Sequence, residues 1–493
     1  MIIDILDADT VTEEGPSGQI ADAEVCLVLV AEGETVPELA FDLRTGMTAY
    51  GKVTFLYGAG GNPTAAPLSP VALVGLGDAA LLDAEKLRRA AGAASRALAR
   101  EGFQSATVCF DSRPRIPSMD AMIEAWVEGW LLGAYTFNRY KSSAVPPEAV
   151  KLSIKFTKTF DREDSVAAVH RARLRAESTM LARDWVNEPA NVLTPEELTS
   201  RIAKLFEGRT GTSVTVYRGD DLERHGMNGL RAVAQGSRQQ PALVEVVYAG
   251  SPSKPLVALV GKGMTFDMGG MNVKTGRDLS EARFDMGGAG AVVGALDLLV
   301  RTEAPVNVVA LIAVADNVPG AGALLPSSVV TYPNGLTVQV ANTDAEGRMI
   351  LADALLHAQR LGAKEIVDIA TLTGSVGHAL GLRVAGVWGD AGMAEELRAA
   401  GNRCGDRVWP MPLIDDDDEL LRSDYADLSN ISSSAYGGAG AAALFLRRFI
   451  GEGVRWTHID MANTVQSPSD RGYEAIGATG FGVRLLADYV LPT

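Results

Sequence analysis

The sequence predicts an α/β fold in two domains, and three observations carry that expectation. Short apolar runs alternate with amphipathic stretches along most of the chain, as strands alternate with helices. The 493 residues are too many for one ordinary core. Residues 165–187 form a long helical stretch without Gly or Pro, suited to a rigid linker between a smaller first part and a larger second part. The expected boundaries are an N-terminal α/β domain over 1–160, a linker helix over 161–186 and a larger α/β domain over 187–493.

In the first part, "VCLVLVAE" (25–32), "VTFLYGAG" (53–60), "VALVGLGD" (71–78) and "SATVCF" (105–110) read as strands. Residues 83–102 have the spacing of a helix ended by glycine. "VPPE" (145–148) breaks the pattern, and "VKLSIKF" (150–156) is one more short run. After the linker comes a helix with Thr194 as N-cap and Glu197 at the capping-box position.

The second part holds the most apolar runs, at 256–261, 306–316, 336–342, 365–374 and 456–463. Runs apolar on both faces fit central strands covered by helices on each side, here residues 289–302, 347–362 and 441–451. A central mixed sheet flanked by helices is the expected architecture, and no internal repeat is found.

A net charge of −16 speaks against non-specific nucleic-acid binding, which needs a basic face. Cys26, Cys109 and Cys404 show no CxxC spacing and no even framework, which points to a reducing compartment. The first ten residues lack the basic and apolar regions of a signal peptide. No stretch reaches about 18 uninterrupted apolar residues, so no membrane span and a cytoplasmic location are expected.

Open α/β sheets place ligands beyond the carboxyl ends of their strands. There this chain gathers Asp267, Asp285, Asp344 and Glu346 among small and apolar residues. Four buried like charges need cations to offset desolvation and repulsion. Two divalent metals, about 3.5–4 Å apart and bridged by carboxylates, would meet that need. If residues 342–346 continue a strand, Asp344 and Glu346 share one face and one centre. Lys262 and Lys274 lie in the same Gly-rich stretch. A lysine can ligate a metal as the neutral amine, or stay charged and stabilise an oxyanion. Arg348 can bind a planar oxyanion by two parallel hydrogen bonds. Glycines 261, 263, 269, 270, 287 and 288 let backbone approach the ions. Taken singly, each Asp reads more simply as a cap or surface ion pair; the set of four with two Lys and one Arg does not.

"VGKGMTFDMGG" (260–270), "RFDMGGAG" (283–290), "NTDAEGR" (342–348), "DIATLTG" (368–374) and "NEPAN" (187–191) together resemble the leucyl (cytosol) aminopeptidases, dizinc peptidases of the PepA type. The resemblance is strong from about residue 180 to 490 and weak in the first 150. It implies a macro-like N-terminal domain, a C-terminal catalytic domain and removal of the N-terminal residue from peptides or dipeptides. It implies Lys262, Asp267, Asp285, Asp344 and Glu346 as ligands of two zinc or manganese ions, with Asp267 and Glu346 bridging. Asp344 would hold the tighter ion, and Asp285 and Lys262 the looser one. Lys274 would polarise the scissile carbonyl, and Arg348 would hold a bicarbonate acting as general base. Asn342, Thr371, Leu372, Gly374 and Ala282 would contact substrate. A homohexamer with inward-facing sites is the implied assembly.

Departures from the family pattern fall at Met268, Asn272, Ala282, "LPSS" (325–328), "GLTVQ" (335–339) and Asn463. They touch no implied ligand, and Ala282 in place of Met suggests a roomier or differently shaped pocket for the first side chain. Two other readings stand beside the peptidase: a dimetal hydrolase narrow for one dipeptide or aminoacylated metabolite, and a DNA-binding scaffold, which the acidic balance disfavours.

Other signals are weaker. "GMTAYGKV" (46–53) nearly fits a phosphate loop but has Val53 where a hydroxyl is needed. "GLGD" (75–78) reads as a tight turn, "IDDDDELL" (414–421) as a solvated acidic loop, and "AYGGAGAA" (435–442) as a loop running into a helix. His170, His225, His357, His378 and His458 show no zinc-helix spacing and read as structural.

Overall fold

The structure, a computed structural model, describes residues 3–5, 23–36, 43–57, 70–110, 116–142, 150–156, 162–276 and 278–491. The break at 145–148, the end of the run 53–60, the boundary expected at 160 and most of the N-terminal stretch lie outside them. The chain divides into two compact units, Met1–Glu177 with Pro468–Ile476, and Ser178–Ser467 with Gly477–Thr493. The division falls inside one 26-residue helix, Arg162–Asn187.

The first unit holds a six-stranded sheet of Ile3–Ile5 (β1), Val25–Ala31 (β2), Val53–Leu56 (β3), Val71–Gly77 (β4), Ser105–Phe110 (β5) and Lys151–Phe156 (β6). Its order is β1-β6-β5-β2-β4-β3, parallel except for β3 at the edge. Helix α1, Ala84–Glu101, starts where the Asp83 carboxylate accepts from Lys86 N and stops at Gly102 in the left-handed region. Helix α2, Met119–Gly133, has no counterpart in the sequence reading. From Met122 on it is buried on nearly every side, so it shows no polar face and no helical period.

The second unit holds an eight-stranded mixed sheet. Its strands are Thr212–Arg218 (β7), Ala242–Ala249 (β8), Val257–Asp267 (β9), Asn307–Asn317 (β10), Glu365–Ala370 (β11), Ala385–Gly389 (β12), Val408–Pro410 (β13) and Arg455–Asp460 (β14). The order is β13-β12-β14-β11-β9-β10-β8-β7, with β14, β11, β9 and β10 mutually parallel at the centre. Even-numbered β9 residues Ala258, Val260 and Met264 pack into a core with Met349 and Ile350 of helix α3, Glu346–Arg360. On the other face Gly261 meets Gly288 and Ala289 of Gly287–Arg301. Strands covered on both sides are why these runs are apolar throughout.

Several local readings are corrected. The run 336–342 is not a central strand; only Thr337–Gln339 pairs, in a separate three-stranded sheet. It is closed off by the left-handed Gly335, and Val340 N turns to Ser328 O. The acidic segment is a 3-10 helix, Asp415–Leu421, with Asp415 and Asp418 paired to Arg447 and Arg448. Thr194 Oγ1 does accept from Glu197 N at 3.3 Å, but the Glu197 carboxylate pairs with Arg201 at 2.7 Å. Among the described residues no helix is long and apolar enough to cross a membrane.

Candidate metal centre and substrate cavity

The cavity lies beyond the carboxyl ends of β9 and β11, in the second unit. Strand β9 carries Lys262 and Asp267 on its last turns of pleat. Beyond it the chain reverses at Gly269 and Gly270, both left-handed at φ 92° and 63°. A Cβ on Gly269 would lie 2.3 Å from Asn272 O and 2.9 Å from Asp344 Oδ1, so only glycine fits there. Asp285 stands near the end of a 3-10 helix, Leu279–Met286. Asp344 lies in the turn before α3, and Glu346 is the first residue of that helix. Asp344 and Glu346 therefore converge through a turn and a helix start. The strand alternation expected for them is wrong, because the pairing of that segment ends at Gln339. Glu346 gains from the helix N-terminus. Next to it, a Cβ on Gly347 would come within 2.8 Å of Lys262 Nζ.

The cavity, of about 260 Å³, brings together Lys262, Asp267, Lys274, Asp285, Asp344 and Glu346, with Ala282, Thr371, Leu372 and Gly374 on its wall. Asn342 and Arg348 are not on that wall. The Asn342 side chain instead accepts from Asp344 N at 2.8 Å, shaping the turn. Asp278, Glu281, Phe284, Thr373, Ala462, Val465 and Gln466 line the cavity unforeseen by sequence reasoning.

Asp267, Asp344 and Glu346 each offer an oxygen, and these lie within 4.8 Å of one another. Asp285 is outside that trio, joined to it by Lys262, whose Nζ sits 2.8 Å from Asp285 Oδ2 and 2.8 Å from Glu346 Oε1. Lys262 also donates to Thr371 O at 3.1 Å. Lys274 Nζ lies 2.5 Å from Asp267 Oδ2 and also pairs with Asp344 Oδ1. Four carboxylates thus face two ammonium groups. The imbalance registers in their acidity. Burial pushes Glu346 up to about 7 and Asp285 up to about 6, and raises Asp344; neighbouring carboxylates push each of them the same way. Burial alone would lower Lys262, but Asp285, Glu346 and Asp267 hold it well above the ordinary amine range. Three clustered carboxylate oxygens with uncompensated charge are a donor set for divalent cations, so the residues fit a metal centre.

Arg348 is buried, and burial brings it down to about 10 despite Glu346 and Asp460. Among the described residues its Nε has no hydrogen-bond partner, an unmet donor of the kind an oxyanion satisfies. The cavity-lining loop 371–374 is held from behind by Asp460. That carboxylate accepts from Leu372 N and Ala462 N at 3.2 Å each, and from Thr373 Oγ1 at 2.6 Å. One layer deeper, Asp368 takes His458 Nδ1 at 2.5 Å and Trp456 Nε1 at 2.6 Å. In the sequence Asp460 stands inside the run 456–463 and opens "DMANT" (460–464), the segment in which Asn463 departs from the family pattern.

The pattern of the cytosol aminopeptidase family, catalytic domain, matches residues 180–487, and that family's N-terminal domain matches residues 47–144. A probable cytosol aminopeptidase of Geobacter sulfurreducens is 41% identical over 433 residues, covering 87% of this chain and 86% of the relative. One of Nocardia farcinica is 40% identical over 426 residues, covering 85% and 81%. Among solved structures, the bottromycin maturation enzyme BotP superposes with a TM-score of 0.84 at 35% identity, covering 95% of this chain and 98% of that one. A structure of BotP in complex with Mn superposes equally well, with a TM-score of 0.84.

Proposed function

The chain belongs to the cytosol aminopeptidase family and is a metal-dependent peptidase, and from that premise we propose that it releases the N-terminal residue of peptides at a two-metal centre. Lys262, Asp267, Asp285, Asp344 and Glu346 would hold two divalent ions, zinc or manganese. The observation that carries this reading is the charge balance of the cluster in the cavity, where Asp267, Asp285, Asp344 and Glu346 face only Lys262 and Lys274. When bound, such ions supply a Lewis acid for the scissile carbonyl and a water acidic enough to be a nucleophile at neutral pH.

The side chains supply the rest. Lys274, on the cavity wall, donates to the carbonyl oxygen as charge develops there. Arg348 holds bicarbonate, a reading supported by its buried, unpartnered Nε. The bicarbonate would take a proton from the attacking water as general base. The free α-amine of the substrate would be held at one of the ions, which accounts for exopeptidase action. Thr371, Leu372, Gly374 and Ala282 receive the first side chain.

The test is hydrolysis of leucine p-nitroanilide and Leu-Gly by purified protein, with and without added Zn²⁺ or Mn²⁺, beside Asp344→Ala. Metal-dependent turnover abolished in the variant supports the reading; turnover that survives EDTA or the variant refutes it. A narrow-substrate hydrolase is the second reading, favoured by the likeness to an enzyme named for bottromycin maturation. Two bound metals with no turnover of either substrate, and activity on one member of a dipeptide panel, would select it.

A further inference from the structure

We propose that Asn317 is a positioning residue that sets the spacing between the two halves of the metal centre; this rests on the two-metal reading above. Of the five proposed ligands, the clustered trio comes from two separate segments, the end of β9 with Asp267 and the turn 343–346 with Asp344 and Glu346. Asn317 is the last residue of β10 and only 3% exposed. Its Nδ2 donates to Asp267 Oδ1 at 2.8 Å and to Thr343 O at 3.0 Å. A carboxylate and a carbonyl oxygen can only accept, so the amide nitrogen is the group between them. One –NH₂ thus ties both ligand-bearing segments together.

The strand register is built for this contact. Along β9 and β10 the pairing runs regularly to Met264 with Ala315. There β9 gains one extra residue, and the pairs beyond are Phe266 with Asp316 and Asp267 with Asn317. Without the bulge, Asn317 would stand beside Phe266 and face away from Asp267, since a one-residue slip exchanges the faces of a strand. Asn317 O also accepts from Met268 N at 2.9 Å, fixing the backbone at the same point.

The consequence is a choice of oxygen. Asp267 Oδ1 is taken up by Asn317 and by Gly269 N at 2.9 Å, which leaves Oδ2 to the cavity, where Lys274 now meets it. Thr343 completes the tie, donating from Oγ1 to Gly269 O at 2.6 Å and from N to Asn272 Oδ1 at 2.9 Å. Asn272, one of the departures from the family pattern, thereby joins the same framework. Partners of this kind orient ligands and tune metal affinity without touching the ion.

The test is calorimetric titration of EDTA-treated protein with Mn²⁺ alone. It compares the wild type with Asn317→Leu, which keeps the number and branching of side-chain heavy atoms and removes both donors, and with Asn317→Ala in case the bulkier leucine is not accommodated. Melting of each metal-free protein is recorded alongside. The expected result is a folded variant whose Mn²⁺ affinity is lower by roughly 10–100-fold. Affinity within twofold of wild type, with or without a lowered melting temperature, overturns the proposal. So does failure of both variants to fold, which would make Asn317 a residue of the fold. A wild type that binds no metal overturns the two-metal reading itself, a result the variants cannot mimic.

Discussion

Removing the metals should make the protein less stable as the pH rises from 5 to 8, and the sign follows from two carboxyls. Glu346 rises from 4.5 to about 7 and Asp285 from 3.8 to about 6, each chiefly through burial. A carboxyl raised by folding binds more protons folded than unfolded. Its contribution is therefore harmless below the unfolded value and increasingly unfavourable as pH climbs through the folded one. For Glu346 that window is 4.5 to about 7, and above it the ionised group costs about 3 kcal/mol. Asp285 acts in the same direction, but the two share Lys262 and their costs do not add. Lys262 and Lys274 are both raised above an amine value that already lies beyond pH 8, so they add no slope in this range. Urea unfolding of EDTA-treated protein at pH 5, 6, 7 and 8 measures the effect. Metal-free Glu346→Gln, read the same way, isolates the glutamate from other buried acids such as Asp353 and Asp460, which are also raised. The wild type should lose about 2–3 kcal/mol more than the variant between pH 5 and 8, part of the cost being already present at pH 5. Saturating Mn²⁺ should stabilise the wild type more at pH 8 than at pH 5. Equal slopes for wild type and variant, or stability rising with pH only in the wild type, would refute the charge-balance reasoning.

Three further outcomes are expected. Lys274→Met should lower kcat by about 10²–10³-fold while the protein still takes up Mn²⁺, as loss of an oxyanion donor does; an unchanged kcat contradicts its role. Ala282→Met should narrow the cavity of about 260 Å³. Leucyl and phenylalanyl substrates would then lose kcat/KM against alanyl ones by roughly 10–200-fold, and an unaltered ratio would remove Ala282 from the first-residue pocket. Asp368→Ala leaves fully buried His458 and the Trp456 indole N–H without their acceptor. It should cost about 3–5 kcal/mol in chemical unfolding, and a cost under about 1 kcal/mol would mean the pair is not coupled.

How much of this was legible in the sequence depends on where each residue's partners come from. Strand β10 and the first half of β9 were readable because burial on both faces makes them apolar. Helix α2 was not, for the same reason applied to a helix: with no polar face it has no period to detect. Residues 262–267 of β9 were not either, because Lys262, Gly263, Thr265 and Asp267 break the apolar run that was read only to 261. The run 336–342 misled because its composition matches a strand, while its fate was decided by the turns at both ends. The ligand-bearing turn was readable as a motif, since Asp344, Glu346 and Arg348 lie within five residues. Its geometry was not, because a helix start and an extended strand can carry the same letters. Asn317 stood just beyond the run 306–316 and Asp460 inside the run 456–463, and neither place says what the side chain meets. Their meaning arises from register, which a bulge in β9 sets for one and the parallel neighbour β11 for the other.

The site also separates the task of holding shape from that of balancing charge. Shape rests on contacts that do not depend on a cation: Asn317 to Asp267 and Thr343, Thr343 to Gly269 and Asn272, and Asp460 to the loop 371–374. Charge in the metal-free protein rests on Lys262 and Lys274, lodged between the carboxylates that would bind ions. The same two lysines are the ones proposed to act once metal is present, and that double duty explains their depth. Metal uptake must then displace two ammonium contacts and release protons, so apparent affinity should climb with pH over the range in which Glu346 and Asp285 ionise. A framework of uncharged donors that stays fixed during that exchange lets the ions enter without rebuilding the cavity.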